Sequence, residues 1–350
     1  IGGATLLGIL VGAPLFGHLA DRRGRRVLMI LDLAVFVVIA VLQLLVTRTW
    51  ELIALRFLLG VAIGADYPIA MAIVAEFMPT RLRGAALNAL EATWFVGAAA
   101  AYIAGYALLA TGPESWKWIL ASPAVFAAGG LLLRSAAPET PMWLASRDTE
   151  HSQRVPFSTI FHSKFRSALA FVSVMWLLQV VPLFAIYTFA PTVLSALGLN
   201  DSSSPAGSVA ITAAFAIGSF ASMLLVEAWG RRALCIAGFA VAVVAFALLL
   251  IGNPTVILIC FIAYAIGAGA AAGLELIYPA ELFPTAIRAT AGGFAAAVSR
   301  VGAFAGTFAL PVLLARYGIT AIVIGAALLS AAGLVIAILW APETRGVQLQ

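Results

Sequence analysis

Residues 56–84 read RFLLGVAIGADYPIAMAIVAEFMPTRLRG. The stretch sets a lone carboxylate, Asp66, inside an apolar run long enough to cross a bilayer, then ends in a cluster of charges. That cluster recurs: Glu76, Pro79, Thr80 and Arg83 reappear as Glu281, Pro284, Thr285 and Arg288, each displaced by 205 positions. Asp66 does not recur, since Ala271 stands at its offset. A repeated frame around an unrepeated charge reads as a scaffold around a site.

Working outward, the whole chain is 63% hydrophobic and only 10% charged, whereas soluble domains carry roughly 25% charged residues. This is the composition of a polytopic membrane protein. A bilayer core takes about 20 helical residues. On that ruler the spans are 1–20, 27–46, 51–78, 85–110 and 116–133, followed by a polar stretch. Six more run over 168–197, 207–227, 233–251, 256–283, 289–315 and 320–340, giving eleven. The repeat pairs them: Asp21 to Arg26 returns as Glu227 to Arg232, and Pro138-Glu139-Thr140 returns as Pro342-Glu343-Thr344. In the second half a whole helix precedes the one ending at Glu227, so its counterpart is expected before Ile1, as the first of twelve. The expected units are an N-terminal bundle 1–134, an inter-bundle loop 135–167, a C-terminal bundle 168–341 and a tail 342–350.

Most of the 20 Lys and Arg residues fall in alternate connections, which assigns those connections to the cytoplasm. The formal net charge of +5 thus reports topology; basic residues scattered in short loops form no single face for nucleic acid. Cys235 and Cys260 sit in apolar segments with no metal-ligand or disulfide spacing. No activated nucleophile or phosphate loop is visible, so no enzyme is expected.

Gly17-x-x-x-Asp21-Arg22-x-Gly24-Arg25-Arg26 joins a small helix-contact residue, a tight turn and a charge cluster at the end of a span. It resembles the signature loop of the major facilitator superfamily, and Arg56-x-x-x-Gly60-x-x-x-Gly64 resembles that family's fourth-helix motif. Glu76-x-x-Pro79-x-x-x-Arg83-Gly84, Pro138-Glu139-Thr140-Pro141-x-Trp143-Leu144 and Pro342-Glu343-Thr344-Arg345-Gly346 look like signatures of its sugar-porter branch. The resemblance covers essentially the whole chain. It implies an all-α membrane protein of the major facilitator fold, two pseudo-symmetric six-helix bundles that expose a midplane site to each side in turn. It also implies proton-coupled uptake of a small molecule with no cofactor, in a multi-pass protein of the cell membrane (the inner membrane if bacterial), expected to be a monomer.

Glu76 ends one helix and Arg83 begins the next, each against the local macrodipole. Because Glu281 and Arg288 repeat the arrangement, these groups are expected to pair across helices. Gly17, Asp21, Arg22, Arg25, Arg26, Glu227 and Arg231 are expected to join them in a cytoplasmic gate, with Asp32 and Glu91 as further members. Arg56, Gly60 and Gly64 are expected to form a packed face toward the helix before Ile1.

Asp66 lies about 15 Å below the cytoplasmic boundary, where an acid is a functional candidate by default. Gly64-Ala65-Asp66-Tyr67-Pro68 is similar to a motif of proton-coupled phosphate symporters. Asp66 is therefore read as the proton carrier, aided by Glu275. Arg300, also near the midplane, is permanently charged and suited to bidentate binding of carboxylate or phosphate. Ser299-Arg300-Val301-Gly302 is similar to a segment of organic-acid porters, and structural pairing of Arg300 with Asp66, Glu275 or an acid on the helix expected before Ile1 stays open. Gln179, Tyr187, Trp94 and Tyr67 are candidate cavity residues, although aromatics in apolar helices more often serve packing. Leu178, Phe184 and Glu275-Leu276 stand where sugar porters carry hexose-reading groups. A small organic anion is the leading cargo; a sugar or polyol, phosphate, and a non-transporting receptor are the alternatives.

Overall fold

The computed structural model describes residues 2–109, 112–147, 155–188 and 205–349. Among these residues all regular structure is helical. The helices are α1 (Gly2–Arg23), α2 (Arg25–Leu42), α3 (Thr49–Phe77), α4 (Thr80–Leu109), α5 (Ser115–Ala121), α6 (Pro123–Ser135) and α7 (Pro141–Arg147). There follow α8 (Ser163–Thr188), α9 (Pro205–Trp229), α10 (Arg231–Leu249), α11 (Pro254–Ala272), α12 (Leu274–Leu282) and α13 (Arg288–Trp340).

Ten helical stretches among the described residues are long and apolar enough to cross a membrane. The eleventh expected span is contained in α13, whose 53 residues are broken by Gly318 at φ 75°. A straight helix of that length would reach about 80 Å, far more than the roughly 30 Å of a hydrocarbon core. The arms 288–317 and 319–340 therefore stand for the last two expected spans. Two other expected spans are interrupted: Ser122 separates α5 from α6, and Gly273 separates α11 from α12. The end of the expected span 168–197 lies outside the described residues.

Two tight turns show why the charged repeat is conserved in form between the halves. Gly24 (φ 102°) links α1 to α2 and Gly230 (φ 89°) links α9 to α10, conformations open to glycine and strained for other residues. The first backbone N–H groups of α2 would otherwise lack partners. Glu139 accepts from those of Arg25 and Arg26, at 3.1 Å each. Glu343 does the same for α10, accepting from Arg231 at 3.0 Å and Arg232 at 3.1 Å. A carboxylate at a helix N-terminus also opposes the macrodipole favourably.

Helix α1 packs along α3 at backbone contact: a Cβ added to Gly60 would run into the Thr5 carbonyl, and one on Gly8 into that of Phe57. Small residues permit such close approach in membranes. This corrects the expectation for Gly60 and Gly64, whose face is filled by α1 and not by a helix preceding Ile1. Arg56, half-buried, leaves its Nε without a hydrogen-bond partner among the described residues. The halves meet where α1 lies on α13 and α4 lies on α9. Val125, Phe126, Leu132 and Leu133 of α6 are exposed, as suits a lipid-facing surface.

Candidate functional site

Two separate sets of charges lie in the interior. The first closes the face that carries the excess of Lys and Arg. Glu76 accepts from Arg25 at 3.0 Å, from Arg288 at 2.8 Å and from the Thr140 hydroxyl at 2.5 Å. Its repeat, Glu281, accepts from Arg231 at 2.9 Å, Arg83 at 3.2 Å and the Thr344 hydroxyl at 2.5 Å. Arg83–Glu281 and Arg288–Glu76 each join one half to the other. Arg25, Arg83, Arg231 and Arg288 are all at most 1% exposed, so each needs the carboxylates it meets.

Asp21 ties the seam at a second level. It accepts from the backbone N–H of Ala289 at 3.2 Å, and from the N–H and hydroxyl of Thr290 at 2.7 Å each. Glu227 makes the matching contact in the other direction, accepting from Gly84 N–H at 3.0 Å. Arg83 also donates to the Val347 carbonyl at 2.5 Å, bringing the tail onto the cluster. Gly17 allows this closure, because a Cβ there would strike the Ala289 carbonyl across the seam.

Four expected gate members lie elsewhere. Arg22 and Arg26 are exposed; Arg26 donates to the Ser135 carbonyl of its own half at 3.2 Å. Asp32, placed with the gate on sequence, points instead toward Arg134 at 3.8 Å. Glu91 does not reach the gate either, and lies near Arg300.

The second set lies deeper, within the apolar spans. Arg300, only 3% exposed, has its guanidinium 4.9 Å from the Tyr67 ring centroid and 5.2 Å from that of Phe184. Such cation–π contacts strengthen when desolvated. Its Nε has no hydrogen-bond partner among the described residues. Glu275 of α12 and Glu91 of α4 lie within electrostatic range, yet no carboxylate among the described residues comes within 4.0 Å. Tyr67, Glu91, Trp94, Phe184, Glu275 and Arg300 line one small space between the halves. The break at Gly273 sets this geometry: it starts α12 at Leu274, one residue before Glu275.

Asp66 does not pair with Arg300. Its Oδ1 lies 2.5 Å from Arg134 Nη1, beside a cavity of about 290 Å³. Arg134, one residue past the end of the expected span 116–133, is helical and in the last turn of α6. Gln179 also departs from expectation. It is buried among Phe239, Tyr264 and Ser330, inside the second half, with both amide atoms unpartnered among the described residues. Trp94 packs on Phe95 at 5.1 Å and Phe184 at 6.3 Å. The side chain of Tyr187 lies outside the described residues. Sequence reasoning missed Arg134, Asp32 and Glu91 as interior groups. The available signal was that each is a charge within a turn or two of an apolar helix end.

Comparison with known proteins gives concordant results. The family described as "Sugar (and other) transporter" matches residues 1–158 and 150–350. The putative metabolite transport protein YaaU of Escherichia coli (strain K12) is 37% identical over 373 residues, covering 100% of this chain and 84% of the relative. The putative niacin/nicotinamide transporter NiaP of Bacillus subtilis (strain 168) is 28% identical over 326 residues, covering 91% and 79%. The proton:xylose symporter XylE bound to 6-bromo-6-deoxy-D-glucose superimposes with a TM-score of 0.82 at 19% identity, covering 99% of this chain and 86% of that one.

Proposed function

We propose, for a chain that belongs to the sugar (and other) transporter family and so carries a metabolite across a membrane, that the cargo is a small organic anion moved together with a proton. The observation that carries this reading is Arg300, a buried permanent cation at the seam with no carboxylate in contact among the described residues. A guanidinium in that state offers its fork to a carboxylate, and Tyr67 and Phe184 flank it with ring faces that suit a compact unsaturated acid. The niacin/nicotinamide relative supports the same class, since niacin is such an acid.

Glu91 and Glu275 supply the link to protons. With one of them ionised and the other protonated, Arg300 is balanced without cargo; an arriving anion adds negative charge that the site tolerates once the ionised one takes up a proton. Cargo and proton then enter as a neutral pair, which lowers the electrostatic barrier to crossing. Closure of the cytoplasmic charge cluster leaves the site reachable from the opposite side, and its opening reverses the access. Asp66 stays in the reading as a second proton-binding group, held by Arg134.

Uptake of labelled nicotinate, xylose and phosphate into proteoliposomes, with and without an inward proton gradient, tests the proposal. Gradient-driven accumulation of nicotinate, lost in Arg300→Ala, is the expected result. Xylose accumulation with no nicotinate uptake would replace the anion reading with the sugar reading that the family's description favours.

A further inference from the structure

The cavity beside Asp66 holds a charge cluster that the cargo site does not use. Asp32 from α2, Asp66 from α3 and Arg134 from α6 converge on its wall. Arg134 Nη1 lies 2.5 Å from Asp66 Oδ1 and 3.8 Å from Asp32 Oδ1, so two carboxylates share one guanidinium nitrogen. Their environments differ. The Asp66 side chain is 42% exposed to the cavity and that of Asp32 only 2%. Asp32 Oδ1 accepts from Leu33 N–H at 2.6 Å, while Oδ2 is buried with no hydrogen-bond partner among the described residues. Both carboxyl groups thus lie within 4.0 Å of the same Arg134 nitrogen, which holds them side by side on the cavity wall.

Counting charge shows what is missing. One guanidinium balances one carboxylate, and a second carboxylate in a membrane interior stays uncompensated. The other titratable groups on the cavity are Tyr67 from α3 and Glu91 from α4, and Arg134 is the only cation among its described lining residues. A proton between the aspartates removes the excess charge and gives Asp32 Oδ2 its partner, as in other pairs of carboxyls that share a site. A metal ion fits poorly, because the guanidinium already occupies Asp66 and repels a second cation. No group of three or more potential metal ligands exists among the described residues.

We propose that Asp32 and Asp66 form one shared proton-binding site, with Asp66 meeting water in the cavity, Asp32 holding the proton from below and Arg134 keeping the pair together. The inference rests on the proton-coupled reading of transport and extends it to Asp32 and Arg134. The test needs no cargo: infrared difference spectra of the protein in lipid, recorded across a pH series in sodium-free buffer. A protonated-carboxyl band should vanish as pH rises. Asp32→Asn and Asp66→Asn should each remove that same band entirely, Asp32→Glu should retain one, and Glu275→Gln should leave it in place. A band that survives Asp32→Asn, or two bands lost separately in the two variants, overturns the shared site. So does a band displaced by sodium at constant ionic strength. Nicotinate uptake separates this inference from its premise. If the band behaves as expected and nicotinate is not transported, the cargo reading fails and the site stands. If gradient-driven nicotinate accumulation is untouched in Asp32→Asn, the site has no part in coupling.

Discussion

Replacing Asp21 by alanine should open the face that carries the excess of Lys and Arg far more than the matching change at Glu227, although the two residues occupy equivalent places in the repeat. Asp21 accepts three hydrogen bonds from the opposite half, at 3.2, 2.7 and 2.7 Å, and is 7% exposed. Hydrogen bonds to a charged group contribute about 1.5–3 kcal/mol each, and water recovers part of that on opening. A net loss on the order of 3–4 kcal/mol from the closed state is therefore expected for Asp21→Ala. At tenfold per 1.4 kcal/mol, that is roughly a hundred- to a thousand-fold shift toward the open state. Glu227 accepts one cross-half bond, at 3.0 Å, from a side chain 23% exposed. Its loss should shift the equilibrium about fivefold, near 1 kcal/mol.

The difference can be read with a single reporter cysteine at Met71, which is 1% exposed. An added Cβ on Gly292 of the other half would lie 2.7 Å from its Cε. Cys235 and Cys260 are buried, so background labelling by a membrane-impermeant maleimide should be low. In Met71→Cys proteoliposomes with the cytoplasmic face outward, the labelling rate should rise steeply for Asp21→Ala and modestly for Glu227→Ala. Equal rises in the two variants, or none in Asp21→Ala, would refute the assignment of the seam's strength to Asp21.

Gly60→Val should lower the thermal midpoint of the detergent-solubilised protein by overpacking the α1–α3 contact, at about 1–3 kcal/mol. Gly97→Val, where an added Cβ meets nothing within 4 Å, should leave it nearly unchanged. Gly273→Ala should destabilise because its methyl group would collide with the buried Asn88 amide. The double variant with Asn88→Ala should recover at least 0.5 kcal/mol in a double-mutant cycle. Burial pushes the Glu343 carboxyl up, but backbone N–H groups of Arg231, Arg345 and Arg232 and the Arg231 charge outweigh it and hold the group below the ordinary glutamate value. Its stabilising contribution is then complete above that ordinary value, about 4.3, and is lost as pH falls through the lowered one. Limited proteolysis within 342–349 should accordingly increase only at the acid extreme, and Glu343→Gln should abolish that dependence.

The charge cluster was legible in the sequence because its members sit at helix ends and recur at a fixed offset, so spacing alone marks Glu76, Arg83, Glu281 and Arg288 as one set; the cross-half partners, Arg288 for Glu76 and Arg83 for Glu281, come from the fold. The interior was less legible for a definite reason. A helix that is apolar all round carries no phase, and nothing in the periodicity of α8 says that Gln179 faces Phe239 and Tyr264 and not the seam. Asp66 was visible as an acid out of place, yet its partner was not. Arg134 is 68 residues away and lies just past the end of the expected span 116–133. Arg300 drew attention because it is permanently charged within an apolar run. The aromatic rings that enclose it come from α3 and α8, and only the fold brings those together.

The contacts across the closed face are reciprocal. Arg83 of the first half meets Glu281 of the second, and Arg288, the counterpart of Arg83, meets Glu76, the counterpart of Glu281. Gly84 donates to Glu227 as its counterpart Ala289 donates to Asp21. This is the pattern of an isologous interface, in which one surface is complementary to itself. Two free copies of a single half could have closed by the same bonds before any gene joined them. The pairing constrains only the face itself: Asp32 and Asp66 of one half and Arg300 of the other lie off it and have no charged counterpart at the repeat offset, so the two halves can share a closing surface and still line different interiors.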